Sequence, residues 1–133
     1  MTNDKIHPVV LVVDDDHTIR QIERRVLQTA GYRVVEARDG GEALTLLDRD
    51  TSFDLLIADF NMPVMEGDEV ARRFRAARPD LKVLYVTGCV DQVFGDRPFL
   101  SDGEAFLQKP FTNKGLVEAV SLLLWDCLNG MAA

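Results

Sequence analysis

Short apolar runs without alternation constrain the fold of this chain more than any other feature of its sequence. Val9–Val13 reads VVLVV, Leu55–Ala58 reads LLIA and Lys82–Val86 reads KVLYV. Strands with one face in water alternate apolar and polar residues, whereas strands covered on both faces need not alternate. These runs therefore predict buried strands of a parallel sheet that carries helices on both of its faces.

The remaining segments alternate between helical and strand-like patterns. Helices are predicted for residues 17–30, 42–47, 67–78 and 113–128, and two further strands for residues 33–37 and 105–108. The first helix has Ile19, Ile22, Val26 and Leu27 at helical spacing. This alternation predicts a doubly wound sheet of five parallel strands. Between residues 89 and 104, glycine and proline interrupt the helical pattern, so an irregular or shortened fourth helix is expected there.

Length and charge limit the classes of function. The 133 residues fit one domain, and 47% hydrophobic with 28% charged residues is ordinary for a globular protein. A net charge of -7 argues against direct binding of nucleic acid, which attracts basic surfaces. No apolar run approaches the ~20 residues of a membrane span. We expect a cytoplasmic protein with an arm at 1–8, one domain at 9–128 and a tail at 129–133.

At the end of almost every predicted strand stands a group that can bind a metal ion or a phosphate. Asp14 and Asp15 follow the first strand, Asp59 the third, Thr87 the fourth and Lys109 the fifth. In an open parallel sheet such strand ends form the ligand-binding crevice. Three carboxylates there repel one another unless a cation neutralises them, and oxygen ligands of this kind suit Mg²⁺. An ammonium and a hydroxyl group beside a carboxylate suit phosphoryl transfer to that carboxylate.

Four sequence motifs resemble the receiver domain of two-component response regulators. They are VVDDD at Val12–Asp16, IADFNMP at Ile57–Pro63, VTG at Val86–Gly88 and FLQKPF at Phe106–Phe111. The resemblance covers nearly the whole chain. Among receivers, the chain resembles most those associated with hybrid histidine kinases. The resemblance implies a flavodoxin-like fold with the strand order 2-1-3-4-5.

The resemblance also implies a phosphoacceptor and a metal site. Asp59 is expected to accept the phosphoryl group and to bind Mg²⁺. Asp15 is expected to bind the ion directly, and Asp14 largely through water. The backbone carbonyl of Asn61 is expected to be a further ligand.

Four other residues are implied to respond to the phosphoryl group or to shape the site. Thr87 would bond the phosphoryl group, Lys109 would pair with it, and Phe106 stands where many receivers carry a switch tyrosine. The peptide bond before Pro110 is expected to be cis. The implied partners are a histidine kinase or histidine phosphotransfer protein, and a downstream protein or attached output domain. The last helix, with Trp125, is a candidate surface for a homodimer.

Two other functions remain open at this point. Asp14, Asp16 and Thr18 after a buried strand also match the signature of haloacid-dehalogenase-type phosphatases, with Asp14 as nucleophile and Asp16 as acid or base. The simplest structural role of Asp16 is the N-terminal cap of the first helix. A receiver-like domain that only binds partners, without phosphorylation, is the second alternative. The prediction is a phosphoacceptor that is not an enzyme beyond self-phosphorylation and slow autodephosphorylation.

Overall fold

Five parallel strands form the centre of the computed structural model, which describes residues 7–49, 52–88 and 103–132, with side chains as far as residue 125. The strands are β1 (Val9–Val13), β2 (Arg33–Ala37), β3 (Leu55–Asp59), β4 (Lys82–Thr87) and β5 (Glu104–Gln108). Their order is β2-β1-β3-β4-β5, and all neighbouring strands are parallel. The predicted doubly wound sheet with the order 2-1-3-4-5 is confirmed.

Four helices within the described residues cover both faces of this sheet. They are α1 (His17–Thr29), α2 (Gly40–Arg49), α3 (Gly67–Ala77) and α4 (Asn113–Ala132). Helices α1 and α4 pack on one face, and α2 and α3 pack on the other. Because both faces are covered, the central strands contain no alternating polar residues. The fourth helix predicted within 89–104 lies almost wholly outside the described residues.

Helix α1 confirms the predicted cap and shows which of its side chains face the sheet. The Asp16 carboxylate accepts hydrogen bonds from the backbone N–H groups of Thr18 at 2.9 Å and Ile19 at 3.3 Å, so Asp16 is the predicted N-cap. Ile22 does not face the core, since it is 41% exposed, whereas Glu23 is buried. Helical spacing was compatible with either orientation, and packing against the sheet turns position 23 inward.

Helix ends differ from the predicted bounds more than strand ends do. Helix α2 begins at Gly40, two residues before its predicted start at residue 42. Asp39 Oδ1 accepts a hydrogen bond from the Glu42 N–H at 2.8 Å, which caps this first turn. Helix α4 continues beyond the predicted end at Leu128 to Ala132. None of the described helices combines the length and the apolar character that a membrane span requires.

Trp125 and Phe106 belong to opposite faces of the sheet. Trp125 in α4 is partly buried, and its Nε1 donates a hydrogen bond to the Tyr32 hydroxyl at 3.3 Å. The Tyr32 hydroxyl is also 3.0 Å from Ser121 Oγ, so this network joins α4 to the start of β2. Phe106 packs against the core on the α2 and α3 side. These two aromatic side chains therefore form no common surface patch.

Candidate functional site

Three carboxylates meet where β1 and β3 end. β1 and β3 are paired with Val13 opposite Ala58, which brings the residues that follow them together. One oxygen from each of Asp14, Asp15 and Asp59 lies within 4.8 Å of the other two. Asp14 and Asp59 are buried and Asp15 is exposed. Carboxylate oxygens grouped in this way can bind a Mg²⁺ ion that keeps several of its water ligands.

Backbone hydrogen bonds fix the orientation of the two buried carboxylates. Asp14 Oδ1 accepts from the Asp16 N–H at 2.8 Å, and Asp59 Oδ1 accepts from the Asn61 N–H at 3.1 Å. In both cases the side chain binds the backbone two residues later, as in an Asx turn. Each carboxylate therefore uses Oδ1 within its own loop and presents Oδ2 to the rest of the site.

Lys109 brings an ammonium group to both Oδ2 atoms. Its Nζ lies 3.3 Å from Asp59 Oδ2 and 3.7 Å from Asp14 Oδ2. The Lys109 N–H donates to the backbone carbonyl of Thr87 at 2.7 Å, and the Lys109–Pro110 peptide bond is cis. Thr87 itself is fully buried at the end of β4. The ends of β1, β3, β4 and β5 thus converge on one site, as their sequence positions predicted.

Burial and charge alter the acidity of these groups. Burial, with the nearby charge of Asp59, raises the pKa of Asp14 to about 6. Burial also raises the pKa of Asp59, although Lys109 and the Asn61 N–H oppose this change. For Lys109, burial lowers the pKa, but Asp14 and Asp59 outweigh it, so the net pKa is raised. The site therefore favours additional positive charge.

The other two predicted site residues, Asn61 and Phe106, differ in how they relate to the carboxylates. Asn61 is exposed in the loop after β3, and its backbone N–H donates a hydrogen bond to Asp59 Oδ1. Phe106 is partly buried on β5, where it is paired with Tyr85 of β4 and packs against the core. Phe106 therefore adjoins the strand that ends in Thr87 rather than the acidic cluster itself.

A buried acid on α1 is a residue that the sequence analysis missed. Glu23 is 1% exposed, and neither of its carboxyl oxygens has a hydrogen-bond partner. Burial, reinforced by the charge of Asp14, raises the pKa of Glu23 to about 8. The signal in the sequence is its spacing of four residues from the buried Leu27, which places both on one helical face. Glu23 lies in the sequence RQIERR, and the charged residues around it make this spacing hard to recognise.

Gly67 allows α3 to start close to the carboxyl end of β3, where Asp59 lies. Its N–H donates to the Phe60 carbonyl at 3.1 Å, and a Cβ at this position would overlap the Asp59 carbonyl oxygen. We expect Gly67→Ala to lower the free energy of unfolding by about 2 kcal/mol, because backbone must move to relieve the overlap. Urea denaturation measures this change. Gly41→Ala is the control, since its Cβ would lie 3.5 Å from Asp39 Oδ1, and equal stability of both variants would contradict the prediction.

Comparisons with known proteins agree with this geometry. The family model for the response regulator receiver domain matches residues 10–121. The response regulator receiver protein CpdR of Brucella abortus (strain 2308) is 32% identical over 115 residues, which are 86% of this chain and 95% of CpdR. The sensor kinase CckA of the same organism is 36% identical over 117 residues, which are 86% of this chain and 12% of CckA.

A solved structure shares the fold as well as the sequence pattern. The response regulator protein TrrA from Thermotoga maritima, solved in complex with Mg²⁺-BeF, is 33% identical with a TM-score of 0.77. The similarity covers 88% of this chain and 99% of the TrrA chain. The chain spans about an eighth of CckA and nearly all of CpdR. Because the family model matches most of the chain, including the ends of the four strands that form the site, the chain belongs to the response regulator receiver domains, the phosphoacceptor domains of two-component signal transduction.

Proposed function

We propose that Asp59 accepts a phosphoryl group from a histidine kinase or a histidine phosphotransfer protein. The domain would then pass the signal to a downstream protein or to an attached output domain. The contact that best supports this assignment is the 3.3 Å distance between Lys109 Nζ and Asp59 Oδ2. Asp14 Oδ2, at 3.7 Å, is outside hydrogen-bonding distance of the same ammonium group.

The two oxygens of Asp59 would have different roles in the transfer. Oδ1 is engaged by the Asn61 N–H, so we assign the attack on phosphorus to Oδ2. The bond from phosphorus to the donor's histidine nitrogen breaks, that nitrogen keeps the electron pair, and a bond from phosphorus to Oδ2 forms. The transferred oxygens would then lie near Lys109 Nζ and the Thr87 hydroxyl, which stabilise their negative charge.

Asp14, Asp15 and Asp59 would hold a Mg²⁺ ion, with the Asn61 carbonyl as a further ligand. Two observations fit such an ion: the three carboxylate oxygens lie within 4.8 Å of one another, and Asp14 Oδ2 has no hydrogen-bond partner. The bound ion would supply positive charge that offsets repulsion between the carboxylates and the phosphoryl group. The complex of the similar protein TrrA with Mg²⁺-BeF supports this proposal.

Asp15→Ala is expected to weaken Mg²⁺ binding by at least about tenfold, since even outer partners of metal ligands contribute this much. Asp15 is the exposed member of the cluster, so its removal leaves the core intact. Isothermal titration calorimetry with MgCl₂ measures the affinity. Asp48→Ala, which removes an exposed carboxylate from α2, is the control and should bind as the wild type does. Equal affinity of the two variants would contradict the proposed ligands.

Incubation with acetyl phosphate and Mg²⁺ separates the three candidate functions. We expect mass spectrometry of the digested protein to locate the phosphoryl group on Asp59. A label on Asp14 with rapid turnover would instead support the phosphatase, and an unlabelled protein would support a domain that only binds partners. The contacts of Asp16 argue against the phosphatase, because its carboxylate is engaged as the cap of α1.

Thr87 and Phe106 are proposed to carry the response to phosphorylation. Thr87 ends β4, and Phe106 on the neighbouring β5 packs against the same core as Tyr85. Phosphorylation would shift an existing equilibrium between two arrangements of these strands.

We propose that the domain has no enzymatic activity beyond self-phosphorylation and slow autodephosphorylation. We assign the receiver domain to residues 9–128, with an arm at 1–8 and a tail at 129–133, in a cytoplasmic protein.

A further inference from the structure

Arg20 is a largely buried cation on α1 that the proposed phosphoryl transfer does not use. Its side chain is 14% exposed, whereas that of Arg24, one helical turn later, is 53% exposed. Arginine is seldom buried to this extent unless its N–H groups have partners. The partners of Arg20 therefore indicate what this side chain does.

One contact of Arg20 reaches the acidic site. Its Nη1 donates a hydrogen bond to the backbone carbonyl of Asp14 at 2.8 Å. This carbonyl belongs to the peptide group between Asp14 and Asp15, and both of these residues contribute an oxygen to the carboxylate cluster. A hydrogen bond from a charged donor is stronger than one between neutral groups. Arg20 therefore restrains the peptide group that joins two of the three carboxylates.

The other nitrogens of the Arg20 guanidinium group also have partners. Nε donates to Glu36 Oε1 in β2 at 3.3 Å, and Nη2 lies 3.1 Å from His17 Nδ1 at the start of α1. The guanidinium group is planar and rigid, so it cannot rotate without losing at least one of these contacts. Arg20 is thus held in one orientation by residues of two different elements.

The sheet itself does not supply this restraint. Strand pairing of β1 ends with Val13, which is paired with Ala37 of β2 and with Ala58 of β3. Beyond it, the Asp14 N–H still donates to the Ala37 carbonyl at 3.2 Å. The Asp14 carbonyl lies past this point and accepts its hydrogen bond from Arg20 instead. The side chain of Arg20 thus continues the support of β1 by one peptide group.

We propose that Arg20 is a positioning residue for the divalent cation: its guanidinium group, anchored by Glu36, holds the peptide group between Asp14 and Asp15 so that both carboxylates face the ion. This inference rests on the proposed function, because it requires that Asp14 and Asp15 help to hold the cation. Arginine stays charged in proteins, so the contact does not depend on pH.

Positioning and charge predict opposite effects when Arg20 becomes neutral. A positive charge near Asp14 repels a cation bound there, so charge alone predicts tighter binding of Mg²⁺ after its removal. Loss of the restraint predicts weaker binding, since outer partners that orient metal ligands typically contribute about ten- to hundredfold in affinity. The direction of the change in Kd therefore distinguishes the two effects.

Arg24 is the matched control. Its Nη1 lies 3.0 Å from Glu36 Oε2, so Arg20 and Arg24 share the same carboxylate. Among the described residues, the hydrogen bond of the Arg24 side chain goes to Glu36 rather than to Asp14. Arg24→Met and Arg20→Met each remove one charge from α1 and one partner of Glu36. Only Arg20→Met also removes the hydrogen bond to the Asp14 carbonyl.

Calorimetric titration of the full chain with MgCl₂ measures the effect. We expect Arg20→Met to raise Kd about tenfold and Arg24→Met to stay within about twofold of the wild type. In labelling with acetyl phosphate, Arg20→Met should raise the Mg²⁺ concentration for half-maximal rate by a similar factor. The rate at saturating Mg²⁺ should stay within about twofold of the wild type, because Asp59 and Lys109 are unchanged. Circular dichroism shows that each variant is folded.

An unchanged or lower Kd of Arg20→Met would overturn this inference. Equal weakening by Arg24→Met would assign the effect to the pairs with Glu36 instead of the contact with Asp14. Fewer ions bound per chain at the wild-type Kd would identify Arg20 as a residue that only stabilises the fold. If Arg20→Met does not fold, Arg20→Lys keeps the charge without the fork of donors, and wild-type affinity in that variant would equally contradict the proposal.

Failure of the inference can be told apart from failure of the proposed function. A wild-type protein that binds no Mg²⁺ would overturn the metal site and the role of Arg20 together. Wild-type binding that Arg20→Met leaves unchanged would overturn the role of Arg20 alone.

Discussion

Asp59→Asn is expected to abolish phosphorylation while the fold persists. The amide lacks the carboxylate oxygen that attacks phosphorus, but its carbonyl can still accept the hydrogen bond from the Asn61 N–H. Lys109 loses its ion pair with Asp59 and keeps Asp14 at 3.7 Å, so the ammonium group retains a counter-charge. Incubation with acetyl phosphate and Mg²⁺, followed by mass spectrometry of the intact protein, measures the labelled fraction.

Asp54→Asn is the matched control for this variant. Asp54 stands just before β3, at the opposite end of the strand from Asp59, and its Oδ2 accepts a hydrogen bond from the Val9 N–H at 2.8 Å. We expect this variant to be labelled as the wild type is. Undiminished labelling of Asp59→Asn would contradict the assignment of the phosphoacceptor. Circular dichroism of both variants shows whether loss of label reflects chemistry or unfolding.

The metal-free protein is expected to lose stability as the pH rises from about 4.5 to about 8. In the native state burial, together with Asp14, raises the pKa of Glu23 from 4.5 to about 8, with Lys109 opposing and Asp59 adding to the shift. The native state therefore binds more protons than the unfolded state in this window, so the free energy of unfolding falls as pH increases. A shift of this size corresponds to a loss on the order of 5 kcal/mol.

Asp14 contributes to the same trend over a lower range. Burial raises its pKa from 3.8 to about 6, so its contribution to stability is fully present below the lower value and lost by the upper one. Burial also raises the pKa of Asp59, which acts in the same direction. The pKa of Lys109 is raised above its ordinary value of 10.5, so this group changes the free energy of unfolding only at alkaline pH. The resolved shifts of the site residues therefore agree in sign below neutral pH.

Urea denaturation with a chelator present, at several pH values across this window, measures the trend. Glu23→Gln should have a flatter profile than the wild type, because the amide does not titrate. Glu69→Gln is the control, since Glu69 is exposed on α3 and its pKa is lowered by hydrogen bonds from Arg73 and Arg72. Parallel profiles of the wild type and Glu23→Gln would show that Glu23 does not cause the loss of stability.

The strands were predictable because their signal is local. Val9–Val13 has the same bounds in the sequence pattern and in the structure. A strand buried on both faces is apolar throughout, so its position can be identified without knowing which elements cover it. The convergence of Asp14, Asp59 and Lys109 was predictable for a related reason, since the ends of parallel strands share one edge of the sheet.

The orientation of helix faces was less predictable. In α1 the apolar Ile22 is 41% exposed and the charged Glu23 is buried, contrary to the ordinary preference of these residues. Rotating a helix about its axis by one residue changes which side chains face the sheet. In a short helix with many charged residues, the sequence pattern does not indicate clearly which of these orientations is adopted. The contacts of α1 with β1, β2 and α4 decide this question.

By itself, the sequence determined the alternation of strands and helices and the residues that stand at each strand end. Both follow from hydrophobic pattern and chain order, which are properties of neighbouring residues. Only the tertiary structure decided that Lys109 Nζ lies 3.3 Å from Asp59 Oδ2, and that Glu23 is buried. Such distances join residues far apart in the chain, so they depend on how whole elements pack rather than on any local pattern.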